Sequence, residues 1–241
     1  MMGAVPNILG VIPARGGSKG IPDKNIITLG GHPLIHYTIL SAMQSKNLTQ
    51  FLVSTDSQKI AEVAQQLGAP VPFIRPGALG GDRILAVDVV KHAVLEMERI
   101  TGVIFDFVTL LQPTTPLKLS RDIDDTLTTL IQTGCDTVLT VVDVGANHPA
   151  RMCTISRGDR LVPVMDEGVP MRPRQELPPV YIRNGAVYAC KRDVLWTANA
   201  LIGKDVRVVV MPRERSVNID CPEDLAVAES CLRNRSLTER H

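Results

Sequence analysis

Residues 12–25, IPARGGSKGIPDKN, place two adjacent glycines, Ser18 and the cations Arg15, Lys19 and Lys24 directly after an apolar run, ILGVIP. Glycines let backbone N–H groups approach oxyanions closely, and Arg and Lys neutralise their charge, so this composition suits a phosphate cradle. Pro13 and Pro22 stiffen its two shoulders. Two familiar phosphate loops are excluded on spacing. A Walker A loop requires G-x-x-x-x-G-K-[ST], whereas Lys19 is followed by Gly20, and glycines 16, 17 and 20 do not supply G-x-G-x-x-G. Far along the chain, Asn218 and Asp220 put two oxygen-bearing side chains at i and i+2 of an extended segment. Both then point the same way, which suits a hard divalent cation. His32 and His36 stand four apart, but nothing suggests a third ligand, and they read as helix-surface or packing residues.

These residues need a frame that gathers them. Short apolar runs alternate with helical patterns along the chain. Strands are expected at 8–13, 51–55, 71–74 (VPFI), 105–111, 137–142, 180–190 and 205–212. Helices are expected from about 33, then at 57–67, 86–100, 120–132 and from 222 to about 232, with a polar, frayed tail. Asp220 or Cys221 stands where the last helix needs an N-cap. Asp122, Asp124 and Asp125 read as a solvated helix start that complements the dipole. Near-continuous apolar strands alternating with helices imply an α/β, doubly wound, mostly parallel sheet, in which ligands sit beyond the carboxyl ends of the strands. Gln112 ends the buried run FDFVTLLQ and therefore falls in that crevice. Residues 148–174, rich in Pro, Arg and Met, interrupt the pattern with short β-like pieces and read as an inserted arm.

Composition narrows the partners. In 241 residues, 26 Lys and Arg oppose 25 Asp and Glu, so the net charge of +1 gives no general attraction to nucleic acid or an anionic membrane. Any anion-binding character is local. Five scattered cysteines without a C-x-x-C pair argue against structural zinc and for reduced thiols, and no run approaches the roughly 18 apolar residues of a membrane span. The reading is of a cytoplasmic protein.

The first loop occurs together with STD (54–56), LLQPTTPL (110–117), PRQELP (173–178), NGAVY (184–188) and NIDCPEDL (218–225), spread over nearly the whole chain. This set of motifs resembles the acylneuraminate cytidylyltransferases, or CMP–sialic acid synthetases. The resemblance implies a Rossmann-like nucleotide-diphospho-sugar transferase domain with a small β-rich arm, at about 145–178, that dimerises and helps to bind sugar. It implies that CTP and a nine-carbon nonulosonic acid (sialic, legionaminic or pseudaminic type) give a CMP-sugar and pyrophosphate, with Mg²⁺, for surface-polysaccharide synthesis. Arg15, Ser18, Lys19 and Lys24 would then meet the triphosphate, Asn25 and Arg75 the nucleotide, and Asp220, with Asn218 second, the metal. Gln112 would lie between nucleotide and sugar, and Arg151, Arg174, Gln175 and Tyr188 would bind the sugar acid, whose carboxylate suits the planar fork of Arg. Leu201 and Ile202 stand where some relatives reach the sugar from a neighbouring subunit. Arg15, Lys19, Gln112 and Asp220 are the implied catalytic set. Two alternatives stand beside this reading. A CMP-Kdo synthetase would have a first loop closer to STRLPGKP. A non-catalytic nucleotide-binding protein on the same fold is favoured only by Asn218, where relatives often carry Asp.

Overall fold

The computed structural model describes residues 5–18, 20–165 and 173–238. The chain opens with β1 (Ile8–Pro13), then a small antiparallel pair, β2 (Thr28–Leu29) and β3 (His32–Pro33), and α1 (Leu34–Met43). There follow β4 (Gln50–Ser54), α2 (Gln58–Gln66), α3 (Ala86–Thr101), β5 (Phe107–Leu111), α4 (Ser120–Thr133) and β6 (Thr137–Asp143). A hairpin of β7 (Cys153–Ser156) and β8 (Arg160–Pro163) precedes the long β9 (Tyr181–Lys191), α5 (Val194–Thr197), β10 (Val206–Val210) and α6 (Pro222–Thr238). Six strands form one sheet in the order β10-β6-β9-β5-β1-β4. Its neighbours are parallel except at β9, which runs antiparallel to both β5 and β6.

Alternation along β1 explains why its sequence is apolar throughout. Ile8 and Ile12 face α1, α2 and α4, while Leu9 and Val11 face α3 and α5, so both sides of the strand are roofed by helices. Helix limits follow local chemistry. The Ser57 hydroxyl accepts the Ile60 N–H at the start of α2, and Gly102 and Gly134 supply the left-handed residue that ends α3 and α4. A third apolar cluster of Ile21, Leu29, Leu34, Ile219 and Ala228 ties the first loop to α6. Among the described residues, no helix is long and apolar enough to cross a membrane.

Three expectations are corrected. Residues 71–74 are not a strand: only Ile74 bridges, to Thr55, because Pro70 and Pro72 lack the N–H groups that a ladder requires. The last helix does not stop near 232 but runs on to Thr238, with Arg233 and Glu229 paired at i, i+4 and no Gly or Pro to end it. The acidic start of α4 is solvated at Asp125 but not at Asp122 or Asp124. Asp124 accepts the Ser45 hydroxyl at 2.6 Å and the Lys46 and Asn47 N–H groups. Asp122 is buried, accepts the Leu119 N–H at 2.8 Å and takes a two-pronged contact from Arg215 at 2.7 and 3.3 Å. That pair fastens the segment after β10 to the head of α4. Arg215→Met, which would strand the Asp122 carboxylate in the core, should lower stability by about 3 kcal/mol in urea unfolding. A change within experimental error would show the pair to be dispensable.

Candidate active site

The carboxyl ends of β1, β4 and β5 open onto a cleft of 460 Å³. Arg15, Ser18, Lys24, Asn25, Arg75 and Gln112 all line it, together with Leu79, Asp82, Ile84, Val89 and Thr114. Residues nearly a hundred positions apart in the chain therefore meet in one place, as the strand-end rule for such sheets requires.

The first loop is held from both sides. Gly16 donates its N–H to Asp56 Oδ1 at 2.9 Å, and Asn25, itself buried, donates from Nδ2 to the Arg15 carbonyl at 3.0 Å. Gly17 has φ 65°, a conformation costly for residues with a Cβ. Gly20 packs so closely that an added Cβ would lie 3.0 Å from the Asp220 carbonyl oxygen.

Each described cation of the cleft faces a carboxylate. Arg15 pairs with Asp82, Lys24 Nζ lies 3.3 Å from Asp220 Oδ1, and Arg75 Nη2 lies 3.5 Å from Asp56 Oδ1. Arg75 is almost fully buried and also donates to the Ser54 carbonyl at 3.0 Å. Burial, and secondarily Arg15, lowers its pKa, while Asp56 opposes the shift. Its Nε has no hydrogen-bond partner.

Behind the cleft, residues 112–118 form a turn that gathers the rest. Ile219 donates its N–H to the Thr114 carbonyl at 2.7 Å, and the Thr115 hydroxyl donates to the Asn184 carbonyl at 3.1 Å. Lys118, 1% exposed, donates to Thr38 Oγ1 at 2.8 Å and to the Gln112 and Thr115 carbonyls at 2.7 Å each. Burial pushes its pKa down to about 7, with Asp122 opposing. Gly185 packs against this turn. Its φ is 78°, and a Cβ there would stand 2.8 Å from Gln112 Oε1.

Asp220 does not cap α6; the Asp224 carboxylate does, accepting the Asp220 and Cys221 N–H groups at 2.8 and 2.9 Å. Asp220 instead faces Lys24 and accepts Asn218 Nδ2, while Asn218 Oδ1 lies 3.5 Å from the Thr115 hydroxyl. Asn218 thus turns its nitrogen towards Asp220, not the oxygen expected of a metal ligand, an orientation that follows from its hydrogen-bond network. Among the described residues, no three His, Cys, Asp or Glu side chains cluster as a metal cage. One exposed carboxylate fits Mg²⁺, which takes few protein ligands and completes its shell with phosphate oxygens and water.

Other expected site residues lie elsewhere. Lys19 and the Arg174 side chain fall outside the described residues. Arg151 and Gln175 are exposed on the arm and do not line the cleft. Tyr188 sits mid-strand on β9, opposite Leu110 and Leu139, packed on the α3-side core. Leu201 and Ile202 precede β10, which is parallel to β6, so they enter at the amino ends of the strands. The Leu201 carbonyl accepts the hydroxyl of Thr137, the first residue of β6. Within one chain they therefore stand at the edge opposite the cleft. Sequence reading also passed over Lys118 and Asp82. The one signal for Lys118 was a lone cation between Leu117 and Leu119.

A doubly wound α/β fold with a cation-lined cleft at its strand ends defines a nucleotide- or phosphate-binding protein. The chain belongs to the cytidylyltransferase family, whose model matches residues 9–155. It is 31% identical over 226 residues to CMP-N,N'-diacetyllegionaminic acid synthase of Legionella pneumophila, covering 93% of this chain and 96% of that one. It is 32% identical over 220 residues to pseudaminic acid cytidylyltransferase of Campylobacter jejuni, covering 91% and 93%. In fold it is similar to the solved structure of CMP:2-keto-3-deoxy-manno-octonic acid synthetase complexed with CTP, with a TM-score of 0.71 and 18% identity over 95% of this chain and 99% of that one.

Gly185→Ala combines a strained φ with crowding of Gln112. It should cost about 1–2 kcal/mol in thermal unfolding and reduce turnover about tenfold or more by displacing the glutamine. Unchanged turnover would show that Gln112 need not lie against Gly185.

Proposed function

We propose that this protein activates a nine-carbon nonulosonic acid with CTP, releasing pyrophosphate. One observation carries the reading: Arg15, Lys24 and Arg75 converge with Gln112 at the strand ends, in a chain whose relatives are named as CMP-synthases and cytidylyltransferases of such acids. The anomeric hydroxyl attacks the α-phosphorus and gives up its proton to solvent, a new O–P bond forms, and the bond from the α-phosphorus to the oxygen bridging it to the β-phosphate breaks, so that this oxygen leaves with pyrophosphate. The side chains act by position and charge. Arg15 and Lys24 exchange Asp82 and Asp220 for phosphate oxygens, Arg75 adds its positive charge to the cleft lining, and the Gln112 amide orients the acid beside the α-phosphate. Asp220 would hold Mg²⁺, which supplies charge neutralisation on the phosphates; Asn218, through its nitrogen, orients that carboxylate.

The test is pyrophosphate release with CTP, Mg²⁺ and a panel of N-acetylneuraminic, legionaminic, pseudaminic and Kdo acids. Turnover with one of the first three is expected. Turnover with Kdo alone would replace this reading with the related synthetase, and none at all would favour a non-catalytic protein. In the same assay Arg15→Ala should lower kcat/KM about 10²–10³-fold without a comparable loss of melting temperature, because that side chain is partly exposed. Equal losses of activity and stability would refute its role at the phosphates.

The arm bears on assembly. β7 and β8 pair only with each other and are exposed throughout, yet they carry Ile155 (76% exposed) and Leu161 (63%) beside Val164 and Met165. A two-stranded hairpin is marginal alone in water, and so apolar a surface calls for a cover. A homodimer working in the cytoplasm supplies it, with the arm as the contact. Sedimentation should find a dimer for the parent and a monomer for Ile155→Asp/Leu161→Asp; a dimer in both would remove the arm from the interface.

A further inference from the structure

The turn that aims Gln112 cannot close itself. Its sequence, QPTTPLK, contains Pro113 and Pro116, neither of which has an N–H. The Thr115 N–H reaches the Gln112 carbonyl only at 3.4 Å. Gln112 has already left the strand ladder, so its carbonyl needs another donor. The Lys118 ammonium supplies one, and a second to Thr115, from the same nitrogen. Its third N–H goes to Thr38 on α1, and the Ser41 hydroxyl, one turn further on, donates to the Lys118 carbonyl at 2.8 Å. In the ammonium form, three donors meet three oxygen acceptors with none left over. A methionine would fill this space without the cost of desolvating an ammonium, so packing alone gives no reason for a lysine. Lys118 is also the only buried lysine among the described residues.

We propose that Lys118 is a positioning residue for Gln112: it ties the two ends of the 112–115 turn to α1 and thereby fixes where the Gln112 amide points. The tolerance is narrow, since Gln112 Oε1 already lies 2.8 Å from the place a Cβ on Gly185 would take. Lys118 itself does not line the cleft. The inference rests on the role given above to Gln112, and its test separates the two.

The experiment is a double-mutant cycle of Lys118→Met and Gln112→Ala, read as kcat/KM for the accepted acid, with calorimetric titration of CTP alone. Each single variant should lose about 30–100-fold, the double variant no more than about threefold beyond the worse single, and CTP affinity should stay within about threefold in Lys118→Met. Lys118→Arg should recover most of the loss, because a guanidinium can serve the same carbonyls. Losses that multiply in the double variant, or parent-like turnover in Lys118→Met, would overturn the proposal. Parent-like turnover in Gln112→Ala alone would instead show that the role given to Gln112 had failed, and the proposal would fall with it. Should Lys118→Met not fold, Thr38→Val removes one acceptor at constant shape. It should cost about threefold or more in the parent background and nothing in Gln112→Ala; equal cost in both backgrounds would overturn the proposal.

Discussion

Everything at this cleft depends on how the chain satisfies its backbone once β5 ends. Inside the sheet, β5 is paired along its length, with β1 on one side and β9 on the other. Beyond Leu111 that ladder stops, in a buried place where unpaired carbonyls are costly. The chain answers with one turn, residues 112–118, in which Lys118 meets two carbonyls and three distant segments meet the rest: Thr38 of α1, Asn184 of β9 and Ile219 before α6. Because those segments carry or abut Gln112, which lines the cleft, and Gly185, Asn218 and Asp220 beside it, satisfying the turn also arranges the neighbourhood of the cleft. Structure and site are here the same set of hydrogen bonds.

β9 shows why this arrangement stays in register. It enters the sheet antiparallel between two strands that run the other way, so its amino-terminal half lies at the same end as the cleft. Asn184 is anchored there by Thr140, Ala186 and Ser216. A slip of one residue would remove Gly185 from beside Gln112 and send the buried Asn184 to the opposite face. The shift in pairing between Leu139 and Val141 adjoins this anchor, which lets β9 bend over the crevice while keeping both partners.

The layout was legible where local chemistry and burial agree. β1 was read to the residue, and α3 and α4 to within one, because apolar periodicity, a Gly stop and burial on both faces coincide there. Residues 71–74 misled because β-branched and aromatic composition outweighed what two prolines do to a ladder. The acidic start of α4 misled because Asp was assigned by its usual exposure, whereas Arg215 lies 93 positions away. At the site, Arg15, Lys24 and Gln112 were visible from residue type and strand position. Their carboxylate partners were not: Asp82 lies 67 positions from Arg15 and Asp220 lies 196 from Lys24, and no local pattern encodes such meetings. The buried lysine was hidden for the same reason, since its acceptors are carbonyls and carry no side-chain signature.

Those carboxylates change what the cleft is. Bare guanidinium and ammonium groups in a partly dry crevice would repel one another and strain the first loop, and Arg75 and Arg15 are near enough to interact. Holding Asp82, Asp56 and Asp220 against the described cations offsets their charge and keeps them in place, in keeping with a chain whose net charge is only +1. A ligand must then displace carboxylates as well as attract cations. A single phosphate can replace one carboxylate and gains little by the exchange. A triphosphate spans several cations at once, so its successive exchanges occur within one complex and each is favoured by the one before. In the proposed function, the same pairs that hold the first loop would therefore select for a polyanion, without any increase in the overall positive charge of the protein.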